Sequence, residues 1–189
     1  MGAGLQSWSR WARLVALGAC IAALSACGGS SGVSAEEYAS SVCSSVELWK
    51  GKLADGSQVL EERLRTVDTL AEVKAELIRF FDGAIRETDV MLAELDELEA
   101  PDVENGEDSH VAVVAALQRF RPILVETRGK ARQLPLDDEL TFTTGAQSIG
   151  AAYQAEAQQL GSLVTNAVGA NDAPELQAAV EGDATCQRL

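Results

Sequence analysis

Apolar residues recur along this chain at helical spacing. Tyr38, Val42, Val46, Trp49 and Leu53 step by four, four, three and four, which places them on one face of a first helix. Asp55 and Gly56 predict its end, and Ser57 to Val67 reads either as irregular chain or as a short helix carrying Val59, Leu60 and Leu64. Thr69 followed by Glu72 has the form of a capping box, whose two side chains satisfy first-turn amides, and opens a second helix. Leu70, Leu77, Ala84, Met91 and Leu98 repeat every seven residues along it, with Phe81, Thr88 and Leu95 as a second row. Continued to Leu98 it is about 43 Å long at a rise of 1.5 Å per residue, and Pro101 ends it. A third helix begins around Asn105 to Ser109 and is striped by His110, Val113, Leu117, Phe120, Leu124, Thr127, Ala131 and Leu134. Pro122 lies inside that stripe; it lacks an N–H and clashes with the preceding turn, so a kink is expected between Gln118 and Pro122. Pro135 closes the segment. Asp138 caps a fourth helix striped by Phe142, Ala146, Ile149, Tyr153, Ala157, Leu160, Val164 and Ala167. Asp172 with Glu175, and Pro174 in the first turn, predict a short fifth helix reaching Val180. No segment alternates like a half-buried strand, and there is no internal repeat. Long amphipathic helices joined by short polar turns predict an all-α fold, an antiparallel four-helix bundle with a short C-terminal fifth helix.

The N-terminus has a different pattern. Arg10 and Arg13 precede the apolar run Leu14 to Ala23, and small residues follow, the three zones of a secretory signal. Leu24, Ser25, Ala26 and Cys27 resemble a bacterial lipobox. That resemblance implies that residues 1–26 are a removed lipoprotein signal peptide and that Cys27, alkylated with diacylglycerol, is the new N-terminus. Two acyl chains make a stable anchor, since each buried CH₂ contributes ~0.8 kcal/mol. An ordinary signal peptide and an uncleaved span are the alternatives, though Leu14 to Ala26 is short of the ~20 apolar residues a span requires. Residues 27–34, the lipidated cysteine and a Gly/Ser tether, reach only ~15 Å, which keeps the following residues 35–189, read as a single acidic helical domain, close to the membrane.

Losing the leader's two arginines takes the formal charge from −14 to −16. Such acidity argues against nucleic acid and against adhesion to anionic lipid through the protein surface, since both need a basic face. The membrane is therefore contacted through the anchor at Cys27, and the expected partner is another envelope protein. Cys20 leaves with the leader, so Cys43 and Cys186 remain as the domain's thiols. An even pair in an exported chain is most simply a disulfide, stapling the first helix to the tail. Tyr38, Cys43, Trp49 and Cys186 together also resemble the pattern of small helical lipoproteins of high-GC actinobacteria. That family carries no assigned activity, so the resemblance implies a fold and a location rather than a reaction.

The candidate chemistry is sparse. His110 is the sole histidine. Glu107 and His110 have the Glu-x-x-His spacing of di-iron bundles, but such sites need two of these pairs, so His110 reads as a first-turn residue at the rim of the core. No His-based triad can be assembled. The acidic stretch Glu94, Asp96, Glu97, Glu99, Asp102, Glu104, Glu107 and Asp108 offers oxygen ligands for a divalent cation, yet a calcium-loop register puts Pro101 and Val103 where donors are required. Gly145, Gly150 and Gly161 on the fourth helix suggest close packing or room for a ligand. No catalytic residue, cofactor or metal ligand is assigned. The chain reads as a non-catalytic, membrane-anchored extracytoplasmic interaction or scaffold module, with a small-molecule or divalent-cation binding lipoprotein as the alternative.

Overall fold

In the computed structural model, which describes residues 32–189 apart from the surroundings of Leu160 and Gly161, the first helix does not stop at Gly56. Helix α1 runs unbroken over Ala35–Leu64. Ser34 caps it, its hydroxyl accepting from the Glu37 N–H at 3.1 Å, and Glu36 and Glu37 face the positive end of the helix dipole. The stripe from Tyr38 to Leu53 is buried throughout. Beyond it the same periodicity continues, with Leu60 packed against the core, and Gly56 lies beside the Phe80 ring. A lone helical glycine costs about 1 kcal/mol, which packing of the flanking apolar residues offsets. The chain turns only at Thr66.

Helix α2 spans Leu70–Asp96, and both halves of its capping box form: Glu72 N–H donates to the Thr69 hydroxyl at 3.2 Å, and Thr69 N–H donates to the Glu72 carboxylate at 3.0 Å. It packs against α1 in the opposite sense. Trp49 Nε1–H donates to the Thr88 hydroxyl at 3.1 Å, and Lys52 pairs with Glu87 at 2.8 Å.

The kink expected near Pro122 is a break. Helix α3 covers Gly106–Gln118 and α4 covers Phe120–Arg132, with Arg119 between them. Pro122 is the third residue of α4, where a missing N–H costs no internal hydrogen bond. The predicted stripe is buried from Val113 to Leu134. Helix α4 lies beside α2, held by Arg128 donating to Asp82 at 2.7 Å and by Lys74 donating to the Leu134 carbonyl at 2.8 Å.

Helix α5, Glu139–Gly169, starts at Asp138, whose carboxylate accepts from the Leu140 and Thr141 amides. Gly145 is a close approach: a Cβ there would stand 2.6 Å from Leu134 Cδ2. Gly150 is not. Its surroundings are open within 4 Å, so close packing does not account for it. Helix α6, Pro174–Gly182, begins without the Asp172–Glu175 capping box expected of it. Asp172 adopts φ 50° in the reversal from α5, and its carbonyl accepts from Asn105 Nδ2 at 3.1 Å, so Ala173 occupies the cap position.

A 3-10 turn at Cys186–Arg188 ends the chain against α1, where Cys43 and Cys186 form a disulfide with Cα atoms 5.0 Å apart. Arg188 donates to Glu47 at 2.9 Å, and Lys50 donates to the Leu189 carbonyl. Among the described residues the result is an all-helical bundle of six α-helices, with no strand beyond a single bridge between Val33 and Pro101. Helix α1 lies beside α2, α2 beside α4, and α3 and α4 beside α5; α6 sits against both α5 and α1. Residues 32–189 form one compact unit. At its centre Trp49 meets Phe120 edge to face at 5.3 Å, while Tyr153 meets Phe80 at 5.3 Å and Phe81 at 5.9 Å.

Candidate functional site

Leu24, Ser25, Ala26 and Cys27 lie outside the described residues, as does Cys20. Cys43 and Cys186 are brought together, in the disulfide already described. No helix among the described residues is long and apolar enough to cross a membrane.

His110 is held by a tyrosine. Tyr38 and His110 stack edge to face with centroids 5.7 Å apart, and with the neutral ring's proton on Nε2 the Tyr38 hydroxyl donates to Nδ1 at 2.9 Å. Burial, and secondarily the negative charge of Glu107, pushes the Tyr38 phenol well above its ordinary 10.0. Glu107 and His110 gain no further ligands, and the acidic residues from Glu94 to Asp108 do not converge. Among the described residues no group of three or more His, Cys, Asp and Glu side chains is placed to hold a metal ion. Two of the buried hydroxyls serve the helices, Thr88 donating to the Ala84 carbonyl at 2.8 Å and Thr127 to the Ile123 carbonyl at 2.7 Å, while the Ser109 hydroxyl is buried without a hydrogen-bond partner.

Among the described residues a cleft lies elsewhere, between α1 and α2 near the turn that joins them. Its volume is about 220 Å³. Leu53, Leu60, Phe80 and Ala84 supply its apolar lining. The register fixed by Lys52 with Glu87 and by Arg63 with Glu76 sets Gly56 opposite Gly83. These glycines do not bring the helices together. A Cβ on Gly56 would meet nothing nearer than the Phe80 ring at 3.5 Å, and one on Gly83 nothing nearer than Arg86 at 3.7 Å, so the missing side chains leave open volume.

Charge closes the cleft at both ends. Lys52 and Glu87 span it at one, and Arg63, Glu76 and Arg79 gather at the other. The Glu76 side chain is only 12% exposed. Its Oε1 accepts from Arg79, while its Oε2 is buried without a hydrogen-bond donor, the Arg63 Nε standing 3.8 Å away. Farther along the same face Leu48 and Val90 are exposed beside a second, smaller recess.

None of the cleft residues stands out in the sequence as a site. A helix stop at Gly56 conceals that the two helices run side by side there. The available signal is the pair of opposite charges Lys52 with Glu87 and Arg63 with Glu76, whose shared antiparallel register pairs Gly56 with Gly83. Comparison with protein-family models, curated proteins and solved structures finds no match for this chain.

Proposed function

We propose that this protein is a lipid-anchored, non-catalytic helical module on the extracytoplasmic face of the cell membrane, acting by contact with another envelope protein. The observation that carries the reading is the Cys43–Cys186 disulfide, the chemistry of an oxidising compartment and the one to which a lipobox at Leu24 to Cys27 directs a chain. Three engaged polar groups support the non-catalytic half: His110 is held by Tyr38, and Thr88 and Thr127 are bonded to carbonyls of their own helices.

We read the architecture as an antiparallel four-helix bundle of α1, α2, the broken pair α3–α4, and α5, with α6 as an added strut between α1 and α5. Opposed registers support it: Lys52 with Glu87, Asp82 with Arg128, and Leu134 beside Gly145.

Fractionation of cells expressing the full chain and its Cys27→Ala variant tests the anchor. The wild-type chain is expected in the membrane and the variant outside that fraction; a variant that stayed membrane-bound would overturn the lipid anchor. Crosslinking on intact cells is expected to trap a membrane-side protein, and repeated recovery of the uncrosslinked chain alone would remove the contact role. A second reading, a small-molecule binding lipoprotein, is favoured by one specific observation, the cleft between α1 and α2.

A further inference from the structure

We propose that two copies of this chain pair through the α1–α2 face, with their helix axes reversed about a two-fold axis. The inference goes beyond both readings above. It gives the cleft a second copy rather than a small molecule, and it does not depend on the lipid anchor.

The face is longer than the cleft alone. Lys52 and Glu87 line both the cleft and the smaller recess, so the two hollows form one groove. It runs from Ser45 and Glu94 to Arg63 and Glu76, about 27 Å at 1.5 Å per residue. Leu48, Val59 and Val90 stand on it with 57%, 48% and 47% of their surface exposed. Single exposed apolar residues are ordinary, whereas a row of them along one groove marks a surface that another protein covers.

Charge and shape along the groove identify that protein. The exposed guanidinium groups of Arg63 and Arg79 hold one end, where Glu76 is nearly buried, and the exposed carboxylate of Glu94 holds the other. Such a face complements itself when turned end for end. Along α1, Arg63 and Ser45, Leu60 and Leu48, and Gly56 and Lys52 lie equally far to either side of a point midway between Lys52 and Gly56. The register of α1 on α2 carries the same symmetry across, so that Glu76 and Glu94, Phe80 and Val90, and Gly83 and Glu87 change places.

Reversal therefore sets Arg79 beside Glu94 of the second copy at both ends, with Leu48 on Leu60 and Val90 on Phe80 between them. Lys52 and Glu87, paired across the groove at 2.8 Å, come over Gly56 and Gly83 of the second copy. The hollow there is open to them, since a Cβ on either glycine would meet nothing nearer than 3.5 Å. A parallel pairing has no such match, because it brings the cationic end of one copy onto the cationic end of the other. Two helices wide and about 27 Å long, the face buries roughly 1,000 Å² in total, the lower limit for a specific interface, so the dimer is a weak one.

The test uses the full chain with Cys20 and Cys27 changed to Ala, so that neither lipid nor a stray thiol joins two copies. Sedimentation equilibrium from about 5 to 500 μM in ~0.15 M salt is expected to show monomer and dimer in exchange. A monomer at every concentration, or a larger assembly, would overturn the pairing. Glu94→Arg places like charges together at both ends and is expected to weaken the dimer about tenfold with Tm unchanged; Arg79→Glu is expected to weaken it similarly. Mixing the two variants is expected to restore wild-type affinity, since each end then holds opposite charges; no recovery would remove the proposed register. A short bis-maleimide is expected to link Leu48→Cys with Val59→Cys in a mixture and to leave Leu48→Cys alone unlinked. The reverse pattern would show parallel packing and overturn the arrangement, whatever the stability of the charge variants. None of these outcomes alters the Cys27 fractionation result.

Discussion

Thr88 shows how much a single buried hydroxyl carries here. It accepts from the Trp49 indole and donates to the Ala84 carbonyl, tying the largest core side chain of α1 to α2. Thr88→Val keeps the shape and leaves the indole N–H without a partner, so urea unfolding is expected to show a loss of about 1–3 kcal/mol. Tyr38 makes a prediction of opposite pH sense to that of a carboxylate. Its phenol titrates above its ordinary 10.0 in the folded chain, so its contribution to stability is complete below that value and is lost as pH rises past it. Tyr38→Phe should lower Tm at neutral pH and fall less steeply than wild type above pH 10, a comparison thermal scans make directly. Helical spacing places both residues on buried faces. It does not reveal their partners, because Thr88 is 39 residues from Trp49 and His110 is 72 from Tyr38.

The helices themselves were legible where apolar spacing and capping agree. The Thr69–Glu72 box and the Asp138 cap form as their sequences imply, because each closes within a few residues. The Thr69 hydroxyl, then the Asp68 and Thr69 amides, hold the Glu72 carboxyl below its ordinary 4.5. A carboxyl depressed in the folded state contributes above its unfolded value and loses that contribution as pH falls through the folded one. Tm is therefore expected to drop below pH 4.5, and Glu72→Gln, already lacking the charge, should show a shallower drop. Local signals misled where tertiary contacts outweighed them. Gly56 reads as a stop, but its neighbours on α1 have α2 to pack against. Gly56→Ala should thus stabilise the chain by about 0.5–1 kcal/mol in chemical denaturation, since a Cβ there meets only ordinary contacts. Asp172 fails as a cap for a comparable reason, its backbone being committed to the reversal that meets Asn105.

Across the whole molecule, the disulfide links residues 143 apart and so restricts the unfolded chain far more than any local contact could. Replacing both Cys43 and Cys186 by Ser is expected to cost about 4–5 kcal/mol in the chain-entropy model, measurable as a shift in the urea midpoint. The pairing was readable from the even number of cysteines left after a signal-like N-terminus is set aside, whereas the cleft was not, because it arises from the register between two helices rather than from either alone. The position of the bond has a mechanical side as well. Cys43 is the ninth residue of α1 and Cys186 is three residues from the terminus, so nearly all of the bundle lies inside one covalent ring. A pull applied between the two ends of the chain runs through the sulfur–sulfur link and bypasses the helices in between. In an optical trap the oxidised protein should therefore extend by little more than the segments before Cys43 and after Cys186, while the reduced protein should pay out its full contour length. Tension delivered at the amino end would reach the carboxyl terminus without passing through the folded body.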